Sequence, residues 1–250
     1  MKYSLRKKLT QHVPLVGTIV TLPSPEIAEI LCSAGFDWLF IDLEHSAMGI
    51  KDAQAILQTA GPQVPCVIRV PFNDETWIKK SLDIGASGII VPQIQSEEEA
   101  AQAVRWCKYP PEGSRSVGIA RAQGYGADFK AYVDSANIET TVILQIEHIN
   151  AIHNIESIVN IPGIDCLFIG PYDLSASMGK MGHVTDPEIR TAISEVKRCA
   201  DAAGIPTGIF GTSPEAVRPY IDDGFTLIAI NIDTMILGNA AKKIVDASTT

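Results

Sequence analysis

Basic residues are scarce in this 250-residue chain: 20 Lys and Arg stand against 29 Asp and Glu, giving a net charge of −9 and a pI near 5.0. Binding to a phosphate backbone leans on clustered Lys and Arg, so nucleic acid is not an expected partner. The single basic run, Arg6-Lys7-Lys8, reads as a solvated N-terminal segment. Cysteine is also sparse. The five residues Cys32, Cys66, Cys107, Cys166 and Cys199 show no C-x-x-C spacing, and three lie in or beside apolar runs where a thiol packs as a small hydrophobe. A reducing compartment is therefore expected. No segment approaches the ~18 uninterrupted apolar residues of a membrane helix, so no membrane partner is expected. Val13 to Leu22 follows a basic start, but Pro14 interrupts it and no small-residue cleavage site follows. It is not read as a secretory signal, and the cytoplasm is the expected location. No G-x-G-x-x-G or Walker sequence follows any apolar run, which removes the commonest signature of an open nucleotide-binding sheet.

What the chain does contain is alternation. With 46% apolar and 20% charged residues it can bury a large core, and its length suits one (β/α)8 barrel spanning residues 1–250 as a single domain. Short β-branched runs predict strands at Val16 to Thr21, Trp38 to Leu43, Cys66 to Val70, Gly88 to Pro92, Val142 to Ile146, Cys166 to Ile169, Thr207 to Phe210 and Leu227 to Ile232. Helices are predicted between them at 25–34, 51–60, 74–84, 96–107, 151–159, 186–203, 213–223 and 234–247. Ser24-Pro25, Asp186-Pro187 and Ser213-Pro214 mark helix starts. Strands apolar on both faces, repeated eight times, favour a closed TIM barrel over an open sheet. Residues 109–140 break the rhythm, and a long loop of this kind is read as functional.

A barrel of this class carries its active site at the C-terminal strand ends. The polar residues there are Asp42, Glu44 and His45 at the end of the second strand, Arg69 at the end of the third, Gln93 at the end of the fourth, and Gln145, Glu147 and Asp173 at the ends of the fifth and sixth. Glu147 and Asp173 would lie roughly 5 Å apart if their strands are neighbours, close enough to share a metal ion. The competing reading is a pair of carboxylates tied to loop amides or to Arg69. Oxygen-only ligands favour a hard divalent ion such as Mg²⁺ or Mn²⁺ over zinc. His148 points to the opposite face from Glu147 and reads as structural or peripheral. His45 is the general-base candidate, or equally a satisfied histidine beside two acids. Arg69 suits an enolate oxygen or an ion pair with Asp42 or Glu44. No predicted strand contains a lysine, so a Schiff base is poorly placed, and no cysteine sits at a strand end within plausible reach of His45.

These segments together resemble the HpcH/HpaI aldolases. The resemblance is carried by Gly35-Phe36-Asp37 through Ile41-Asp42-Leu43-Glu44-His45, Arg69-Val70-Pro71, Leu82-Asp83-Ile84-Gly85-Ala86 and Val91-Pro92. It continues through Tyr109 to Arg115, Gln145-Ile146-Glu147 and Phe168 to Ser175, and covers residues 14–240 in order. It implies a class II pyruvate aldolase with a divalent metal ion (Mg²⁺, Mn²⁺ or Co²⁺) on Glu147 and Asp173, chelating pyruvate. It further implies Arg69 at the enolate oxygen, His45 moving a proton through water, and the pyruvate carboxylate held by Gln145 with the amides around Gly170, Pro171, Tyr172 and Asp173. Asp42 joins the catalytic set, and Asp83 pairs with the histidine. Asp83 ends a helix on the opposite face, so such a dyad requires a subunit contact and an oligomer, typically a hexamer. Arg121 in the long loop reads either as recognising a distal carboxylate or as ordering its loop. The expected function is reversible cleavage of a 4-hydroxy-2-oxo acid to pyruvate and an aldehyde. The alternatives are a CoA-thioester lyase or other enolpyruvate enzyme, and a non-catalytic keto-acid-binding barrel.

Overall fold

The computed structural model describes residues 4–249, so the expected domain bounds, 1–250, include positions 1–3 and 250 outside the described residues. Among the described residues, eight strands form a closed parallel barrel in chain order: β1 (Leu15–Val20), β2 (Trp38–Asp42), β3 (Cys66–Arg69), β4 (Gly88–Val91), β5 (Thr141–Ile146), β6 (Cys166–Ile169), β7 (Thr207–Gly211) and β8 (Leu227–Ile232). Pairing of β1 with both β2 and β8 closes the ring. The fold is thus the expected (β/α)8 barrel, and each strand end lies within one residue of its sequence reading.

The helices are α1 (Leu5–Leu9), α2 (Pro25–Ala34), α3 (Ile50–Ala60), α4 (Glu75–Asp83), α5 (Glu97–Cys107) and α6 (Phe129–Glu139). They continue as α7 (Ile149–His153), α8 (Ile155–Ile158), α9 (Pro171–Ser177), α10 (Pro187–Ala202), α11 (Pro214–Asp222) and α12 (Asp233–Ser248). Caps set several of these starts. Ser24, Asp74, Ser96 and Ser213 each accept a backbone N–H of the first turn. The helix expected over 151–159 is broken into α7 and α8 at Asn154, which leaves helical geometry at φ −105°, ψ 9°.

Two faces of each strand are buried for different reasons. Ile41, Ile68, Ile89, Leu144 and Ile169 point outward into the layer shared with the helices. Trp38, Phe40, Val67, Ile90, Ile143 and Phe168 point into the barrel. The rings of Trp38, Phe40 and Phe168 meet at centroid distances of 5.8–6.4 Å and form a solid apolar plug below the strand ends.

Helix α1 corrects the reading of its basic run. Leu5 and Leu9, one turn apart, are both buried in the inner barrel cluster. Arg6 Nε lies 2.6 Å from Asp165 Oδ1 and Lys7 Nζ lies 2.8 Å from Glu139 Oε1. These acids sit just before β6 and β5, so α1 closes the N-terminal mouth rather than trailing into solvent. Leu9→Ala is expected to cost about 2–5 kcal/mol through the cavity it leaves, read by urea unfolding against the wild type.

The long segment after α5 is also tied to the N-terminal end of the barrel, because the helix it leaves runs back from the strand tops. Lys108 Nζ donates to the carbonyls of Asn137 and Thr140, at 2.7 and 3.1 Å. The buried Arg115 stacks 4.5 Å from the Tyr109 ring centroid and bonds the Tyr132 hydroxyl. Within this chain the segment therefore does not roof the strand-end site.

Candidate active site

A cavity of about 230 Å³ opens at the C-terminal strand ends, where the inward period of the strands delivers its polar groups. Asp42 follows Phe40 by two residues and Arg69 follows Val67 by two, and the pair is in direct register across β2 and β3. Arg69 Nε and Nη2 donate to Asp42 Oδ1 and Oδ2 at 2.9 and 2.6 Å, a two-pronged ion pair. Asp42 Oδ1 also accepts the backbone N–H groups of Glu44 and His45, fixing the turn that carries the histidine. The ion-pair reading of Arg69 is thus realised, and the same guanidinium still lines the cavity.

Glu44 sits beside that pair, its Oε2 3.2 Å from Arg69 Nη1 but without hydrogen-bond geometry. Burial pushes its pKa up to about 7 against the pull of Arg69, and the charges of Asp42 and Asp173 push the same way as burial. His45 is open to solvent at the mouth, with Nε2 3.7 Å from Glu44 Oε2. His148, as expected, is structural: it caps α7 and its Nδ1 accepts the Asn150 N–H.

Glu147 is 98% buried at the end of β5. Its Oε1 accepts the backbone N–H of Gln93 at 2.9 Å, and its Oε2 accepts Gln145 Nε2. Burial raises its pKa to about 7, opposed by the Gln93 amide and reinforced by the charges of Asp173 and Glu44. Gly170 stands opposite, and a Cβ there would fall 2.7 Å from Glu147 Oε2, so a side chain at this position would have to displace the carboxylate. Asp173 is not carried by the strand itself. Pro171 starts helix α9, and Asp173 is in its first turn. Tyr172 projects beside it, its ring 6.1 Å from that of Phe210.

The donor set fits a hard cation. Asp42, Glu44, Glu147 and Asp173 gather around the single guanidinium of Arg69, and Gln145 Oε1 is buried without a hydrogen-bond partner. Acceptor oxygens in excess of the available positive charge are what a divalent ion satisfies. A different cluster, Glu156, Glu195 and Cys199, lies on the outside of the barrel and is already engaged by Arg198, 2.6 Å from Glu195 and 3.6 Å from Glu156.

Glu147 is not on the cavity lining itself, although Gln145 and Gly170 beside it are, and two further expected residues lie away from the site within this chain. Asp83 ends α4 at the opposite face and is paired with Arg115 at 2.7 Å. Arg121 donates to the carbonyls of Ile84 and Leu57 and borders a separate cavity of about 470 Å³. These bonds tie its loop to the ends of α3 and α4. Sequence reasoning missed the apolar wall of the site, made by Ile19, Phe40, Phe168, Phe210 and Ile232, and also missed Thr21 among them. No polar signal marks the wall. The amide of Gln93 was legible only as a residue after the fourth strand; its φ of 56° turns that N–H toward Glu147.

A closed (β/α)8 barrel whose mouth gathers carboxylates, a guanidinium and an imidazole, with no lysine among the described residues of its lining, suits acid–base and electrostatic chemistry on a small anionic substrate. The HpcH/HpaI aldolase/citrate lyase family model matches residues 16–240, and the chain belongs to that family. It is 38% identical over 247 residues to a hydroxypyruvate/pyruvate aldolase of Paraburkholderia phytofirmans, covering 96% of this chain and 95% of the relative. Identity is 39% to a 2-dehydro-3,6-dideoxy-6-sulfogluconate aldolase of Pseudomonas putida, over 95% of this chain and 93% of that one. A crystal structure of a family member from Burkholderia cenocepacia superposes with a TM-score of 0.95 at 34% identity, over 99% of both chains. The chain is therefore an aldolase, a carbon–carbon lyase. Among the described residues no helix is long and apolar enough to cross a membrane.

Proposed function

We propose that this aldolase reversibly cleaves a 4-hydroxy-2-oxo acid to pyruvate and an aldehyde, with a divalent metal ion held by Glu147 and Asp173. The observation that carries this reading is the surplus of buried acceptor oxygens around Glu147, beside a barrel-mouth cavity with no lysine among the described residues that line it. When bound, the ion supplies Lewis acidity toward the keto and carboxylate oxygens of pyruvate. Mg²⁺, Mn²⁺ and Co²⁺ all accept such ligands.

Arg69, preorganised by Asp42, holds the enolate oxygen as charge develops there, and desolvation strengthens the interaction. Gln145 and the backbone amides of Tyr172 and Asp173 orient the carboxylate, while Gly170 and Pro171 keep the backbone close to it. His45 takes the proton of the 4-hydroxyl through a water and returns it in the condensation direction. In this reading Asp83 reaches His45, and Arg121 reaches a distal substrate group, only from a neighbouring subunit of a hexamer. Support for assembly comes from apolar side chains left in solvent: Leu237 and Ile244 on α12, and Val117, Ile119 and Tyr125 on the long loop. The five free cysteines support a reducing, cytoplasmic setting.

The test is exchange of pyruvate methyl protons with deuterium, followed by NMR on chelator-treated protein and after adding Mg²⁺, Mn²⁺ or Co²⁺. Metal-dependent exchange is expected; its absence with every ion would overturn the reading. His45→Ala is expected to slow both exchange and aldol cleavage by about a hundredfold, in the range of positioned acid–base groups. Unimpaired exchange in that variant would remove His45 from the base role.

A further inference from the structure

Asp233 begins α12 at the β1–β8 seam and is 97% buried. Its Oδ2 accepts the N–H groups of Thr21 and Leu22, both at 2.8 Å. Its Oδ1 accepts the Thr21 hydroxyl at 2.6 Å and the Thr234 N–H at 2.8 Å. This clamp replaces a ladder that has run out. The β1–β8 register shifts between Gly17 and Ile19, Asn231 is held at φ 64°, and Ile19 pairs with Ile232 as the last partners before Thr21.

The clamp also decides what Thr21 offers the active site. A hydroxyl has one proton and two acceptor positions. The Thr21 proton is committed to the Asp233 carboxylate, so toward the cavity, which Thr21 lines, only lone pairs remain. Its neighbours on that wall, Ile19 and Ile232, have no polar group to answer it, and neither do Phe40 or Phe168. In the closed ring β1 lies four strands from β5, across the mouth from Glu147. A substrate whose pyruvate half is anchored at Glu147 and Asp173 therefore extends its aldehyde half toward Thr21.

We propose that Thr21, positioned by Asp233, accepts a hydrogen bond from a hydroxyl on the aldehyde half of the substrate, so that hydroxyaldehydes are favoured over their deoxy counterparts. The proposal rests on the aldolase reading above. Thr21 is half-buried, and an acceptor that a bound deoxy substrate covers and leaves unmet works against that substrate, whereas a hydroxylated one satisfies it.

The test compares kcat/KM for condensation of pyruvate with glycolaldehyde and with acetaldehyde, which differ by one hydroxyl. The wild type is expected to prefer glycolaldehyde. Thr21→Val should lower the glycolaldehyde-to-acetaldehyde ratio about tenfold, Thr21→Ser should restore it, and Asp233→Asn, which turns an amide donor toward N–H groups, should lower it. An unchanged ratio in Thr21→Val overturns the proposal. If that variant does not fold, a wild-type ratio at or below one overturns it without any substitution. Failure of the aldolase reading itself is seen separately, as wild-type protein that exchanges no pyruvate methyl protons with any metal.

Discussion

Arg69→Lys should lower turnover about a thousandfold while the protein stays folded, and Arg69→Ala should lose the same activity and much of its stability besides. The distinction follows from what the guanidinium touches. It is buried, makes two parallel bonds to Asp42, approaches Glu44 and lies 5.1 Å from the centroid of the Phe40 ring. A lysine keeps one positive charge among these carboxylates but cannot reproduce the fork, so the enolate oxygen loses a donor held at a fixed angle. Alanine removes the charge as well, leaving the buried Asp42 and the half-buried Glu44 without a counterion, at a cost of about 3–5 kcal/mol. Steady-state cleavage of a 4-hydroxy-2-oxo acid measures the first effect and thermal unfolding the second. Near wild-type turnover in Arg69→Lys would mean that the residue only neutralises its neighbours.

The strands were legible because each is a short apolar run, closed in all but the first by Pro, Gly or an acid, and in a parallel barrel both faces of such a run are buried. That same property hid the apolar half of the site. Phe40 and Ile41 are equally hydrophobic, yet one faces the cavity and the other the helices. Periodicity cannot separate two buried faces. The polar half was readable for the converse reason: Asp42, Arg69, Gln145 and Glu147 stand where an apolar run has no other use for them. Asp173 follows the sixth strand in sequence, but Pro171 at a first helical position starts a helix there, so a helix turn rather than the strand end carries the carboxylate. Arg121 and Asp83 carry a charge but no address. Their partners, the Leu57 and Ile84 carbonyls and Arg115, are distant in sequence and adjacent only once the barrel closes. The Thr21–Asp233 clamp joins residues 212 apart in the chain and has no local signature at all.

The second large effect concerns Glu147, where function and stability are expected to move in opposite directions. In the metal-free protein this carboxyl is buried beside Asp173 and Glu44, and burial is the main reason that its pKa is raised to about 7. Glu147→Gln removes a charge that the metal-free fold holds at a cost. The new amide retains an oxygen for the Gln93 N–H, and its NH₂ can donate to Gln145 after that side chain turns its unpartnered Oε1 inward. Metal-free Glu147→Gln should therefore melt at a higher temperature than metal-free wild type, by the equivalent of about 1–3 kcal/mol. Adding Mn²⁺ should raise the melting temperature of the wild type by mass action and leave the variant nearly unmoved. With the metal role proposed for Glu147, turnover in the variant should fall about a thousandfold or more, through loss of an acid ligand. A destabilised variant that still responds to Mn²⁺ would show that Glu147 is a structural acid and that the ion is held elsewhere. Higher stability together with lost metal response would mark this carboxylate as retained for catalysis against the interest of the fold.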